Sequence, residues 1–218
     1  MDLKKLRKEV SEINQELPKA SLVTMHAGNA SAYDPDSGQV LIKPSGYDYD
    51  KITPQVLVEV NLKTGEVINS KLKPSVDLPH HLYLYRNLKG VRAIIHTHSC
   101  HATAFAACHK PIPLCLTAIA DVFGTEIPCT PYVDNEKEHI GEAILRYRNR
   151  APAILLGNHG VFVWGESLKE TFKTAVMVED AAKTVHLATQ VGQPKAIPLE
   201  EAEKWYIRYH TQYGQYRD

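Results

Sequence analysis

The 218-residue chain has no block of like charge. Its 25 basic and 25 acidic residues cancel, and no lysine-rich face is interleaved with aromatics, so nothing points to nucleic acid as a partner. No apolar run is long enough to cross a bilayer. The first seventeen residues, MDLKKLRKEVSEINQEL, mix charges with leucine and valine at helical spacing, which is not the pattern of a signal peptide. Cysteine is scarce: Cys100, Cys108, Cys115 and Cys129 form no CxxC pair and no dense framework. Reduced, mostly buried thiols in a cytoplasmic protein are therefore expected. Neither a P-loop nor a GxGxxG fingerprint occurs, so a nucleotide is not expected. No repeat, low-complexity segment or Gly/Ser/Pro linker divides the chain, and one domain over 1–218 is the expectation.

What is present is a patchwork of helical and strand-like segments. Leu3, Leu6, Val10, Ile13 and Leu17 share one helical stripe, which Pro18 stops. Short β-like pieces follow around Val23, in GQVLIKPSG, and in VLVEVNLKTGEVI, which reads as a hairpin turning at Lys63-Thr64-Gly65. LPHHLYLYRNL reads as a short helix with proline in its first turn, where a missing N–H costs little. VRAIIHTH returns to strand, and SCHATAFAAC continues as a helix with Ser99 as its candidate N-cap. DNEKEHIGEAILRYR is another helix, and PAILLGNHGVFVWG is two strands around a tight turn. Ser167 and Glu170 form a capping-box pattern for a long helix over 168–191. The mixture predicts an α/β fold with a central, largely antiparallel sheet covered by helices.

Eleven histidines are a rich supply, and their spacing matters more than their number. On a strand His96 and His98 face the same way, with Thr97 opposite. Two imidazoles at a strand's end can both reach one divalent ion such as zinc. Two half-buried histidines bonded to backbone groups would read the same in sequence. A third, His159, sits between glycines in GNHGVF directly after another strand, where core filling explains it poorly. Asp77 in KPSVDLPHH is a carboxylate at a loop-to-helix junction. It is the fourth candidate ligand, although an aspartate at such a junction, read alone, is a helix N-cap more often than a ligand. His80 and His81 are adjacent and diverge on a helix, so they make a poor chelating pair. His101 is placed near the site but outside the ligand set.

AGNAS (27–31) and KPSG (43–46) join small residues to hydrogen-bonding side chains, and KPS recurs at 73–75. Backbone amides freed by such turns, with a lysine ammonium, make an anion cradle, although the same dipeptides mark ordinary turns. Beside a metal site they point to a small phosphorylated substrate.

In this order, GNAS, KPSG, KPSVD, HTHSCHAT, IPCTPY and GNHGVFVWG resemble the class II aldolase family from about Leu3 to Gln215. That family includes L-ribulose-5-phosphate 4-epimerases and L-fuculose-1-phosphate aldolases. The resemblance implies a homo-oligomer, usually a tetramer with sites between subunits. It implies Zn2+, or Mn2+ or Co2+, held by His96, His98 and His159, and phosphate held by Asn29, Lys43, Ser45, Gly46 and Ser75. Asp77 stands where the aldolases carry a glutamate base and matches the epimerases, in which it looks like a metal ligand. Asp121 in LTAIADVFGTEIPC and Tyr213 in HTQYGQ match the epimerase acid/base positions. The implied reaction is epimerisation of L-ribulose 5-phosphate to D-xylulose 5-phosphate by cleavage and re-formation of C3–C4. The alternatives are cleavage of a ketose 1-phosphate, such as L-fuculose 1-phosphate, and a non-catalytic adducin-like module. Two departures bear on the substrate: Val76 replaces a second phosphate-binding serine, and the segment 128–150 is shorter than in typical epimerases. An HxH hydrolase on a TIM barrel is disfavoured by the short chain, since such barrels need about 250 residues.

Overall fold

A computed structural model describes residues 2–214. Helix α1 (Leu3–Lys19) begins where the Asp2 carboxylate accepts the Lys4 N–H at 2.9 Å. It runs through Pro18 and ends a residue later, because the proline falls in the last turn and the chain leaves through Ser21 at φ 57°. The strands are β1 (Asn29–Asp34), β2 (Gln39–Ile42), β3 (Val58–Asn61), β4 (Ala93–Thr97), β5 (Cys129–Tyr132), β6 (Ala153–Gly157) and β7 (Gly160–Gly165). They form one sheet in the order β3-β2-β1-β4-β7-β6-β5. Every pairing is antiparallel except β5 with β6. The remaining helices are α2 (Leu78–Asn87), α3 (Cys100–Ala107), α4 (Thr117–Phe123), α5 (His139–Tyr147), α6 (Leu168–Val191) and α7 (Leu199–Gln212).

Alternation along the strands divides the core into two layers. Ala30, Ala93, Ile95, Leu155, Val161 and Val163 pack with α1, α3, α4 and α6 on one face. Ile94, Ile154, Leu156, Phe162 and Trp164 pack with α2 and α5 on the other. β4 lies between β1 and β7, so its backbone is paired on both sides, and every residue of the strand is buried. His96 follows Ile94 by two residues and therefore emerges on the α2/α5 face.

The α/β class and the antiparallel sheet agree with the sequence reading, but several details differ. Residues around Val23 form no strand; the first strand is β1 itself. The turn at Lys63-Thr64-Gly65 closes with Gly65 donating to the Asn61 carbonyl, yet its second arm is a single bridge, Val60 to Val67. Val67 and Ile68 are exposed, so no packed face holds that arm in register. The cysteines are free, but Cys100 and Cys108 are exposed and the other two half-buried; Cys100 is the first residue of α3 and Cys108 its C-cap. Ser99 occupies the N-cap position of α3 but makes no cap bond. The Glu179 carboxylate of α6 accepts the His101 and Ala102 N–H groups instead, each at 2.9 Å. No helix among the described residues is long and apolar enough to cross a membrane. Gln215, where the family resemblance ends, lies outside the described residues.

Candidate functional site

The three histidines come together where β4 ends and β7 begins. His96 donates its Nδ1–H to the Val161 carbonyl at 2.9 Å, which leaves the Nε2 lone pair free to face away. Its ring stacks on Phe162 with centroids 4.6 Å apart. His98, just past β4, has its Nε2 2.9 Å from that of His96. The ring centroids of His96, His98 and His159 form a nearly equilateral triangle with edges of 4.8, 4.9 and 5.0 Å. One nitrogen from each lies within 4.8 Å of the others. Backbone bonding thus accounts for one nitrogen of His96 and leaves three nitrogens converging on a common point. Burial lowers all three below the ordinary imidazole range. Neutral imidazoles are what a metal needs as ligands. A borderline-soft divalent ion such as zinc fits this donor set, and His96, His98 and His159 are the residues that would hold it.

The turn between β6 and β7 sets His159. The left-handed position is taken by Asn158 at φ 60°, not by either flanking glycine. Its amide N–H donates to the Ala106 carbonyl at 3.1 Å, and its side-chain oxygen accepts from His109 Nε2 at 2.5 Å. The glycines serve close approach: a Cβ on Gly160 would lie 2.4 Å from the Thr97 carbonyl oxygen and 3.3 Å from His96 Cε1. Gly160→Ala is therefore expected to destabilise the protein by at least about 2 kcal/mol, as overpacking does. Thermal unfolding should show a midpoint lower by at least about 4 °C; an unchanged midpoint would contradict this packing.

Asp77 precedes α2 but does not cap it, since its backbone is already helical and its side chain bonds no helix N–H of α2. Its Oδ2 accepts instead from Asn29 Nδ2 at 2.7 Å and Ser75 Oγ at 3.3 Å. Burial raises the pKa of this carboxyl, but His96, His81 and the Asn29 hydrogen bond outweigh it and hold the group below the usual range. All three histidines of the cluster feel its charge. It stands beside the three converging nitrogens without belonging to that tight group.

The two KPS segments lie side by side. Pro44 bridges Pro74, Ser45 N–H donates to the Lys73 carbonyl, and Ser75 N–H donates to the Lys43 carbonyl, each at 3.0 Å. Lys43 follows β2 and is only 2% exposed. Its ammonium lies 4.8 Å from the Tyr49 ring centroid and makes long contacts of 3.5 and 3.4 Å to the His26 and Pro44 carbonyls. It has no ion-pair partner among the described residues, and burial lowers its pKa while Asp77 and Asp48 oppose that. Ser45 and Gly46 are exposed at the adjoining turn, with Gly46 at φ 62°. Asn29 faces His96 across the β1–β4 pairing. Its amide nitrogen is engaged by Asp77 and Ser75, while Oδ1 is buried without a partner among the described residues.

Asp121 and Tyr213 are not brought to this cluster within the chain. Asp121 is half-buried on α4, which packs on α7 and α6. Tyr213 follows α7, is 58% exposed, and stacks on Tyr209 at 5.0 Å. Glu179 and His109, which brace the loops bearing His98 and His159, escaped the sequence reading. Their partners lie 78 and 49 residues away, so no local pattern marks them.

The sheet, its helical covers and a three-histidine cluster beside a buried lysine define an α/β protein with a candidate metal and anion site. The chain belongs to the class II aldolase and adducin N-terminal domain family, whose profile matches residues 8–186. Among solved structures, an L-fuculose 1-phosphate aldolase is 28% identical, with 94% of this chain and 96% of that chain covered and a TM-score of 0.86. YgbL of Klebsiella pneumoniae, described as a putative aldolase/epimerase/decarboxylase, is also 28% identical, covering 94% and 99% with a TM-score of 0.83. The L-fuculose-1-phosphate aldolase of Thermus thermophilus is 25% identical, covering 88% and 98% with a TM-score of 0.71.

Proposed function

We propose that this chain is a metal-dependent sugar-phosphate enzyme that epimerises L-ribulose 5-phosphate to D-xylulose 5-phosphate. The observation that carries the reading is that Asp77 stands between three converging imidazoles and a buried lysine that has no ion-pair partner among the described residues. Carbon 4 is not adjacent to the carbonyl, so simple deprotonation cannot invert it. Breaking C3–C4 gives a three-carbon enediolate and glycolaldehyde phosphate, and re-addition to the other face inverts C4. A divalent ion held by His96, His98 and His159, with Asp77 as a further ligand, would supply Lewis-acid stabilisation of the developing negative charge, worth several kcal/mol.

The chain's own groups do the rest. Lys43 and the turn at Ser45 and Gly46, with Asn29 and Ser75, keep the phosphate anchored while the aldehyde turns. One proton acceptor takes the C4 hydroxyl proton on cleavage, and a donor on the opposite face returns one on re-addition. Asp121 and Tyr213 fill these roles from a neighbouring copy in a homo-oligomer, a tetramer in the family pattern. General acid–base help of this kind contributes about 10²–10⁴-fold.

Cleavage of L-fuculose 1-phosphate is the second reading, favoured by the 28% identity to an L-fuculose 1-phosphate aldolase and by the short segment 128–150. A non-catalytic adducin-like role is disfavoured by the full set of three histidines, Asp77 and Lys43. Incubating the protein with each substrate, with and without chelator, separates these readings. Xylulose 5-phosphate should form from ribulose 5-phosphate and disappear with chelator. Rapid cleavage of fuculose 1-phosphate with no xylulose 5-phosphate would replace the epimerase with an aldolase, and no turnover of either would leave the binding module.

A further inference from the structure

Behind the metal ligands lies a polar seam in an otherwise apolar layer. Asp77, His81 and Tyr85 recur one helical turn apart along α2 and the residue before it, so they share a face. Asn29, Ser31 and Tyr33 alternate on β1 and share the face beneath. The two rows meet rung by rung. Asn29 donates to Asp77 at 2.7 Å, Ser31 Oγ is 2.7 Å from His81 Nδ1 and 2.8 Å from the Tyr85 hydroxyl, and the Tyr33 and Tyr85 rings lie 5.7 Å apart. Asn29, Ser31, Asp77, His81 and Tyr85 are all buried.

Ser31 Oγ thus links two buried side chains, His81 through Nδ1 and Tyr85 through its hydroxyl. The other ring nitrogen of His81, Nε2, is buried without a hydrogen-bond partner among the described residues, a cost of about 1–3 kcal/mol. An apolar side chain would fill the same layer without it, so packing alone does not account for histidine here. His81 also packs edge-on against Phe162 at 5.4 Å, the ring on which His96 stacks. It thus touches the site by two routes, one turn along α2 to Asp77 and through Phe162 to His96.

We infer that His81 is a positioning residue: its bond to Ser31 locks the first turns of α2 in register on β1 and so fixes the Asp77 carboxylate beside the three histidines. The inference rests on reading those histidines and Asp77 as one metal site. His81→Leu removes the bond, whereas His81→Asn places a side-chain amide, which can donate or accept, where Nδ1 stood and can still bond Ser31 Oγ. In the full chain loaded with Co2+, His81→Leu is expected to weaken metal affinity about 10–100-fold, the usual effect of losing a group that orients a ligand. His81→Asn should recover most of it, and both should keep the parent's circular dichroism.

Amide hydrogen exchange in the metal-free protein gives a second readout. His81→Leu should speed exchange at residues 80–82 by at least about tenfold, and His81→Asn should not. Unchanged affinity and exchange in a folded His81→Leu would overturn the inference, as would an Asn variant no better than Leu. Should His81→Leu fail to fold, Ser31→Ala, which removes the same bond from its other side, decides through the same two readouts, and wild-type values there overturn it. If the parent binds no Co2+ while the exchange effect appears, the metal reading fails and the positioning role stands.

Discussion

His96→Ala is expected to leave less than about a tenth of an equivalent of metal per chain and to lower kcat/KM for the sugar phosphate by at least about 10³-fold. The magnitude follows from losing several kcal/mol of Lewis-acid stabilisation at about 1.4 kcal/mol per factor of ten. His96 is the most constrained of the three histidines. It is buried, pinned by the Val161 carbonyl at 2.9 Å, and stacked on Phe162. Metal content by mass spectrometry and steady-state assays check this. Full metal content in the variant would remove His96 from the ligand set.

Lys43→Met is expected to act differently, raising KM for the phosphorylated substrate about 10–100-fold with a smaller change in kcat. A charge-assisted hydrogen bond contributes about 1.5–3 kcal/mol, and this ammonium has no protein carboxylate partner within ion-pair distance among the described residues. Methionine matches the aliphatic stem, and removing a buried cation whose charge is only partly offset leaves stability equal or higher. Thermal unfolding alongside kinetics separates the effects. A lower melting point with unchanged KM would make Lys43 a structural residue.

Much of this site was legible in the sequence, for physical reasons. The period-two alternation of a strand places His96 and His98 on one side without any knowledge of the sheet. The glycines around Asn158-His159 mark a tight strand connection. Asp77 shows the limit of local reading: its position fits an N-cap, but the choice between cap and ligand turns on Asn29, 48 residues away. The pairing of the two KPS segments is a tertiary fact of the same kind. β1 was missed because NASAYD reads as a turn before it reads as a strand, and only pairing with β2 and β4 makes it one. α4 is seven residues long, too short to show a period. Asp121 and Tyr213 carry no local signature beyond the family resemblance, and the single chain leaves them away from the histidines.

The most direct measurement is an anomalous difference map at the zinc edge from crystals of the zinc-loaded protein. The expected result is one peak per chain, bonded to nitrogens of His96, His98 and His159. No peak there, or a peak held by other residues, would contradict the metal centre and with it the chemistry proposed for this chain.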